Sequence, residues 1–416
     1  VLYISLFYGL FALAVSLVAR LKNPLLNALT APSLWILVEY LRTLSFMAYT
    51  AGFLGYSQWQ YPLLLNISSV YGYWGLPFLM VFLQTFLILV LRRELRGNKI
   101  YAMAGLWLLL TATGLLLPET QPEVPNSNRF TVTLIQGNTS PETIMERGRE
   151  ENMAHYLTLT EEALAESEDV DMVVWPETVV DIKLEEGKIH HRPMIELAEN
   201  FGVPLLYGAR VHDSGLLYNA IALIQNEEEG ERTRLYYKKR LVPFVEFFPM
   251  EQWLNRLLQL DLLLGRYTPG EETTLFQLDG ITLAGVICFE SYFGDHTRLF
   301  ATAKSDHLFI LTNDAWFGDS IGLEQHAQVA AIRAAEMGRG VTQVANSGIT
   351  ISFDYRGREL FRSGKNEVAI ITRNLDLMTR ETFYARYGDY FPAFWALFLL
   401  FAIPLSLSGR LKREIP

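Results

Sequence analysis

Four short runs of this sequence place a reactive side chain directly after an apolar stretch. Val173-Val174-Trp175-Pro176 is followed by Glu177, Leu235-Tyr236-Tyr237 by Lys238, Gly285-Val286-Ile287 by Cys288, and Leu311-Thr312 by Asn313 and Asp314. A carboxylate, an ammonium and a thiol gathered in one pocket form a nucleophilic set. The carboxylate takes the thiol proton, the ammonium favours the thiolate and then an oxyanion, and the thiolate attacks a carbonyl carbon. No histidine is needed. Cys288 is the only cysteine in 416 residues, so no intrachain disulfide competes for it.

The elements that must carry these groups are legible as alternating apolar runs and amphipathic segments. Strands are expected at 130–136, 171–175, 204–209, 216–225, 233–238, 274–278, 281–287, 307–312, 342–345 and 349–354. Helices are expected near 143–167, 192–200, 293–304 and 325–338. Residues 226–231 read as a turn, and Asp279-Gly280 is a hairpin dipeptide. Helices alternating with buried strands make a layered α/β domain. In such sheets ligands collect beyond the carboxyl ends of the strands, so the four runs point to one site.

That domain does not occupy the whole chain. Half of the residues are hydrophobic, 13% are aromatic and only 19% are charged, against about 25% charged in soluble domains. Residues 119–380 hold 24 Lys+Arg against 40 Asp+Glu, and the remainder holds 11 against 5. An acidic centre thus lies between apolar flanks with basic edges, which argues against nucleic acid as a partner.

Segments 1–19, 24–44, 71–91 and 100–117, and 391–408 beyond the domain, are expected to span a bilayer, whose hydrocarbon needs roughly 20 helical residues. Glu39 and Arg42, three apart in the second of these, can pair on one helix face. Residues 45–70 are uncharged and rich in Tyr, Trp and Gly, as befits an interfacial or re-entrant element. Basic clusters at Arg20/Lys22, Arg92–Lys99 and Arg410–Arg413 satisfy the positive-inside rule if all three are cytoplasmic, which puts the acidic domain outside. With Val1 then also outside, the expectation is that further spans precede the sequence.

The motifs Trp-Pro-Glu177, Tyr-Tyr-Lys238-Lys-Arg-Leu-Val-Pro-Phe-Val-Glu246 and Gly-Val-Ile-Cys288-Phe-Glu290 resemble those of the nitrilase superfamily of carbon–nitrogen hydrolases. Within it, the Leu-Val-Pro-Phe run, Asn313-Asp314-Ala315-Trp316-Phe317-Gly318, Gln325-His326 and the flanking spans are similar to the bacterial apolipoprotein N-acyltransferase family. The resemblance implies a nitrilase-like αββα sandwich inserted between transmembrane α-helices. The division is residues 1–118 transmembrane, 119–380 catalytic and extracytoplasmic, and 381–416 a last span with a basic tail. It implies a catalytic triad of Glu177, Lys238 and Cys288, with Glu246 as a second required glutamate. Phe289, Glu290, Asn313 and Trp316 are supporting or substrate-binding candidates. Val245 and Phe289 depart from the family pattern, which commonly has a glycine and a hydroxyl-bearing aromatic there.

The activity so implied is transfer of a phospholipid acyl chain, through a Cys288 thioester, to the α-amino group of a diacylglyceryl cysteine at a lipoprotein N-terminus, in the bacterial inner membrane. The partners are a phospholipid donor, an apolipoprotein acceptor and the bilayer. A membrane-tethered amidase and a non-catalytic lipoprotein-binding protein are the alternatives. His190, His191 and His326 lack zinc-ligand spacing and there is no phosphate-binding glycine loop, so neither metal nor other cofactor is expected.

Overall fold

The computed structural model describes residues 2–19, 23–44, 47–116, 130–167, 169–185, 188–189, 192–225, 232–249 and 267–414. The expected turn at 226–231 lies outside them, as do residues 117–129 and 250–266. The chain divides into two compact units: Val1–Thr120 with Glu381–Pro416, and Gln121–Arg380.

The first unit is helical: α1 (Leu2–Ala19), α2 (Pro24–Leu41), α3 (Pro62–Tyr71), α4 (Gly75–Leu91), α5 (Asn98–Leu116) and a final helix Tyr390–Glu414. α2 starts where Asn23 accepts the Leu26 N–H and Pro24 takes the first helical position, where its missing N–H costs nothing. Its Thr30 and Ser33 hydroxyls return to the carbonyls of Leu26 and Leu29, which satisfies both inside an apolar bundle.

Among the described residues, two helices are long and apolar enough to cross a membrane, α1 and α5, or three if the bent pair α3 and α4 counts as one span. Five spans were expected, and helices lie at all five positions. Asn27, Thr30, Ser33 and Glu39 dilute the apolar character of α2, in which Ala28, Ile36 and Glu39 are buried. The final helix, Tyr390–Glu414, is 25 residues long and contains the expected span 391–408.

α3 and α4 meet at a bend of 107°. Gly72 permits it: its φ is +67°, and a Cβ there would stand 2.5 Å from the Tyr384 ring. Glu39 and Arg42 were expected to pair with one another, but each fastens the segment after α2. Glu39 accepts the Leu54 N–H at 3.0 Å and the Tyr73 hydroxyl at 2.9 Å. Arg42 donates to the Tyr49 carbonyl at 3.0 Å and lies 4.6 Å over the Phe53 ring. Residues 47–70 are thereby folded into the helical unit, with Phe53, Tyr56 and Leu65 buried.

The second unit is an αββα sandwich. One sheet runs β14-β1-β2-β5-β3-β4, with β6 and β7 continuing from β5; the other runs β13-β12-β11-β10-β9-β8. Their strands are β1 (Thr131–Gln136), β2 (Met172–Val174), β3 (Val180–Glu185), β4 (Lys188–Ile189), β5 (Leu205–Asp213), β6 (Leu216–Gln225) and β7 (Arg232–Tyr237). The rest are β8 (Leu275–Leu278), β9 (Ile281–Ile287), β10 (His307–Thr312), β11 (Gly340–Ala345), β12 (Ile351–Phe353), β13 (Glu359–Arg362) and β14 (Ala369–Asn374). The central strands β1, β2 and β5, and β9, β10 and β11, are parallel, and nearly every residue in them is buried.

The sheets face each other through β1 with β11 and β6 with β9, and helices 149–166, 192–201 and 322–337 cover them. Two departures from the sequence reading are local. The helix expected over 143–167 breaks at Gly148, whose φ is +88°. Strands β3, β4, β13 and β14 were not expected; β13 and β14 are partly exposed and mixed in polarity, so no apolar run announces them.

Candidate active site

β2 is only three residues long, and the chain leaves it through Pro176 and Glu177. Trp175 anchors the exit by donating its indole N–H to Thr160 at 2.9 Å. The neighbouring β5 passes close by because residue 208 is glycine. A Cβ there would sit 2.3 Å from the Pro176 carbonyl oxygen and 2.5 Å from the Glu177 Cα. Glu177 is held inward, 8% exposed. Its Oε2 accepts the Asn313 N–H at 3.0 Å, and its Oε1 accepts from Asn219 at 2.8 Å and from Lys238 at 3.3 Å.

Lys238 follows β7 directly. In the β6–β7 register Tyr237 faces Ala220, so Lys238 comes level with Asn219 and donates its N–H to that residue's carbonyl at 2.8 Å. Its Nζ, in a side chain 1% exposed, also reaches Glu246 Oε1 at 2.9 Å. Glu246 sits in a tight turn and accepts the Val242 N–H through its other oxygen at 2.7 Å. One buried ammonium is thus shared by two carboxylates, both of which also accept from the Asn219 amide. Lys239, the adjacent candidate by sequence, points instead to Thr273.

These surroundings set the charges. Burial disfavours the Lys238 ammonium, but Glu177 and Glu246 outweigh it and raise its pKa. Burial pushes the Glu177 carboxyl up, against the pull of Lys238 and with the help of Glu246. Burial, reinforced by Glu177, also pushes the Cys288 thiol well up, with Lys238 opposing.

Cys288 opens a 3-10 turn, Cys288–Tyr292, at the end of β9 and takes φ +48°, a left-handed conformation rare for a residue with a side chain. The turn is built around Glu290, which is fully buried. Its oxygens accept the N–H groups of Ile287 at 2.8 Å, Lys239 at 2.7 Å and Arg240 at 3.1 Å, and the Tyr236 hydroxyl at 2.8 and 2.9 Å. Burial raises this carboxyl's pKa, but His296 and the N–H donors overcome that and bring it down to about 2.

The candidates therefore separate. Glu177, Lys238 and Glu246 meet directly, and the charges of Glu177 and Lys238 act on Cys288. Glu290 faces the backbone of β9 and of the segment after β7. Asn313 presents its N–H to Glu177, while its side chain accepts from Ala315 and Asn346. Phe289 packs on Phe293, with ring centres 5.0 Å apart. Trp316 is 76% exposed.

Three further residues take part: Asn219, which the sequence reading passed over, and Asp314 and His326, which it noted without giving them a role. Asn219 bridges both carboxylates; its signal is a lone amide within the apolar run of β6. Asp314 and His326 pair at 2.8 Å, both fully buried. A sulfur, oxygen and nitrogen donor from Cys288, Asp314 and His326 lie within 4.8 Å of one another, but both imidazole nitrogens already face hydrogen-bond partners. The site's chemistry is that of a partly buried thiol with a proton acceptor and a fixed ammonium.

Residues 131–384 match the carbon–nitrogen hydrolase family, and residues 1–86 match the apolipoprotein N-acyltransferase N-terminal domain. An apolipoprotein N-acyltransferase of Azotobacter vinelandii is 31% identical over 391 residues, covering 92% of this chain and 73% of its own. The chain belongs to the apolipoprotein N-acyltransferase family. Apolipoprotein N-acyltransferase 1 of Treponema denticola is 26% identical over 420 residues, covering 91% of this chain and 77% of its own. Among solved structures, Saccharomyces cerevisiae Nit3, a member of branch 10 of the nitrilase superfamily, matches 62% of this chain and 93% of its own, with 17% identity and a TM-score of 0.46. Membership in the apolipoprotein N-acyltransferase family is carried by both the helical segment and the sandwich.

Proposed function

We propose that this protein is an N-acyltransferase that moves an acyl chain from a phospholipid to the N-terminal diacylglyceryl cysteine of an apolipoprotein. Its triad is Glu177, Lys238 and Cys288. The observation that carries the assignment of roles is the buried Lys238 ammonium between Glu177 and Glu246. An ammonium so held stays charged and cannot act as a base, which leaves it to stabilise negative charge. Glu177, with its pKa raised, is the group able to take and return a proton. The thiol, with its pKa also raised, is not a standing thiolate and loses its proton only as it attacks.

In the first half-reaction Glu177 takes the Cys288 proton and the sulfur attacks the ester carbonyl carbon. The resulting oxyanion rests against the Lys238 ammonium and the Phe289 N–H. Collapse breaks the ester C–O bond, Glu177 returns the proton to the leaving alkoxide, and lysophospholipid departs from a Cys288 thioester. In the second half the acceptor α-amine attacks the thioester carbon. Glu177 takes a proton from that nitrogen, the C–S bond breaks, and the proton returns to sulfur. The α-amine has a pKa of about 7.7–8.0, so a useful fraction is nucleophilic near neutrality.

Glu246 keeps Lys238 in place, and Asn313 steers Glu177 through its N–H. The exposed apolar groups Trp316, Phe317, Ile321, Phe244 and Val245 supply contact for lipid chains. We place residues 1–118 and 381–416 in the bacterial cytoplasmic membrane as a multi-pass frame, with residues 119–380 on the extracytoplasmic side. This follows the basic clusters at Arg92–Lys99 and Arg410–Arg413.

The test is intact mass of detergent-purified protein after addition of phospholipid and then of a diacylated lipopeptide. The expected result is a long-chain adduct on Cys288, released by hydroxylamine and passed to the lipopeptide amine. An adduct lost only to water would make the protein a tethered hydrolase, and no adduct on folded protein would end the thioester mechanism.

A further inference from the structure

The reaction as derived leaves a second acid–base pair unused beside the nucleophile. His326 lies on helix 322–337 and Asp314 just beyond β10, and neither is exposed to solvent. His326 Nδ1 faces Asp314 Oδ1 at 2.8 Å, and Nε2 faces the Cys288 carbonyl oxygen at 3.3 Å and the Ser291 hydroxyl at 3.1 Å. The Tyr292 ring stacks on the imidazole, centres 5.2 Å apart and planes 7° off parallel.

The contact to the Cys288 carbonyl bears on the protons. A carboxylate and a peptide carbonyl only accept, so an imidazole that bonds to both must carry a hydrogen on each nitrogen. Asp314 also takes the Thr312 hydroxyl at 2.7 Å, as an ionised acceptor would. The Ser291 hydroxyl accommodates this arrangement by accepting.

We propose that His326, paired with Asp314, is a positioning residue for the nucleophile: as an imidazolium it grips the Cys288 carbonyl, holds the elbow in its left-handed turn and sets a positive charge beside the thiolate. A left-handed backbone at a non-glycine residue is strained and persists only where neighbours enforce it. Glu290 grips the N–H side of that turn, and His326 grips its carbonyl side. The charged and titratable groups facing His326 are Asp314, Glu177 and Cys288, with Lys238 acting on the same sulfur. Burial opposes a proton on His326, but Asp314, the Cys288 carbonyl and Glu177 outweigh it and raise its pKa.

The inference deepens the proposed function by assigning a role in readying Cys288, and it is tested without lipid. Cys288 is the sole cysteine, so its alkylation by iodoacetamide can be followed by intact mass from pH 5 to 10. Expected for His326→Gln and Asp314→Asn is at least a tenfold slower reaction at pH 7, with the profile moved to higher pH. Ser291→Ala should keep the wild-type midpoint. A folded His326→Gln protein with an unmoved profile would overturn the proposal, as would an equal shift in Ser291→Ala, which would make Nε2 a neutral acceptor. Should the variants not fold, the ¹⁵N spectrum of histidine-labelled wild-type protein decides: two protonated ring nitrogens on His326 at pH 7 are expected, and a neutral ring would refute them. Failure of acyl transfer in the lipid assay bears on the proposed function alone.

Discussion

The exit from β2 and the elbow after β9 each bury one glutamate, and they treat it in opposite ways. Glu290 has the His296 imidazole 3.3 Å away and receives three backbone N–H groups and a tyrosine hydroxyl, and its carboxyl is drawn down to about 2. Glu177 has one backbone N–H, an amide it shares with Glu246 and an ammonium it must also share, and its carboxyl is pushed up. The same side chain is a structural anion in one place and a proton carrier in the other. The surroundings decide between them: Glu290 has the His296 imidazole at 3.3 Å and a full set of fixed donors, whereas Glu177 shares its donors with Glu246.

Breaking the chemistry gives the largest effect. Cys288→Ala should abolish the acyl-enzyme and lower transfer by at least about 10⁴-fold, read as lipopeptide product per folded molecule. Glu177→Gln should cost about 10²–10⁴-fold, the usual range for a positioned acid–base group, while melting at or above the wild-type temperature. It removes a poorly compensated buried charge, and Lys238 keeps Glu246. Glu290→Gln inverts that pattern. Its melting temperature should drop by roughly 5–10 °C, and the loss of activity should follow the loss of folded protein. If Glu177→Gln proved the less stable of the two, the contrast would fail.

Titration sharpens the same comparison. Glu290, with a pKa of about 2 when folded and 4.5 ordinarily, contributes stability that is fully present above 4.5 and is lost as pH falls through 2. The amount is on the order of 3 kcal/mol. Acid unfolding of the sandwich should therefore steepen below pH 4.5 and lose that component in Glu290→Gln. The acid limb of acyl transfer should stand above 4.5, because Glu177 must be ionised to act and its pKa is raised; a limb at the ordinary carboxylate position would contradict this. The smallest effect belongs to Trp316→Ser. An exposed side chain of this kind should leave stability within about 0.5 kcal/mol and raise KM for phospholipid without lowering kcat.

The reactive groups were legible because each stands at a strand terminus, where an apolar run ends in one polar residue. What supports them was not, because support arrives through pairing between distant segments. Tyr236 reaches Glu290 across 54 positions, and Asn346 reaches Asn313 across 33. Asn219 was visible as a polar interruption of β6, yet only the β6–β7 register reveals that it lies level with Lys238. Glu290 was a supporting or substrate-binding candidate from its place two residues after the thiol; its partners on β7 and β9 show the supporting role. In the helical unit hydropathy located the helices, but not that Glu39 of α2 holds the segment after it.

β1 and β14 are antiparallel neighbours, and Leu375 donates its N–H to the Phe130 carbonyl at 2.9 Å. The first and last strands of the sandwich therefore lie one strand spacing apart, about 5 Å. A module whose two ends emerge side by side can be spliced into a single connection of a host scaffold, as a stem-closed loop is, without separating the residues it interrupts. The seam is also the place for a surgical exchange. A short linker joining residue 130 to residue 375 would excise the sandwich whole, and a foreign domain with equally close ends would fit the same gap.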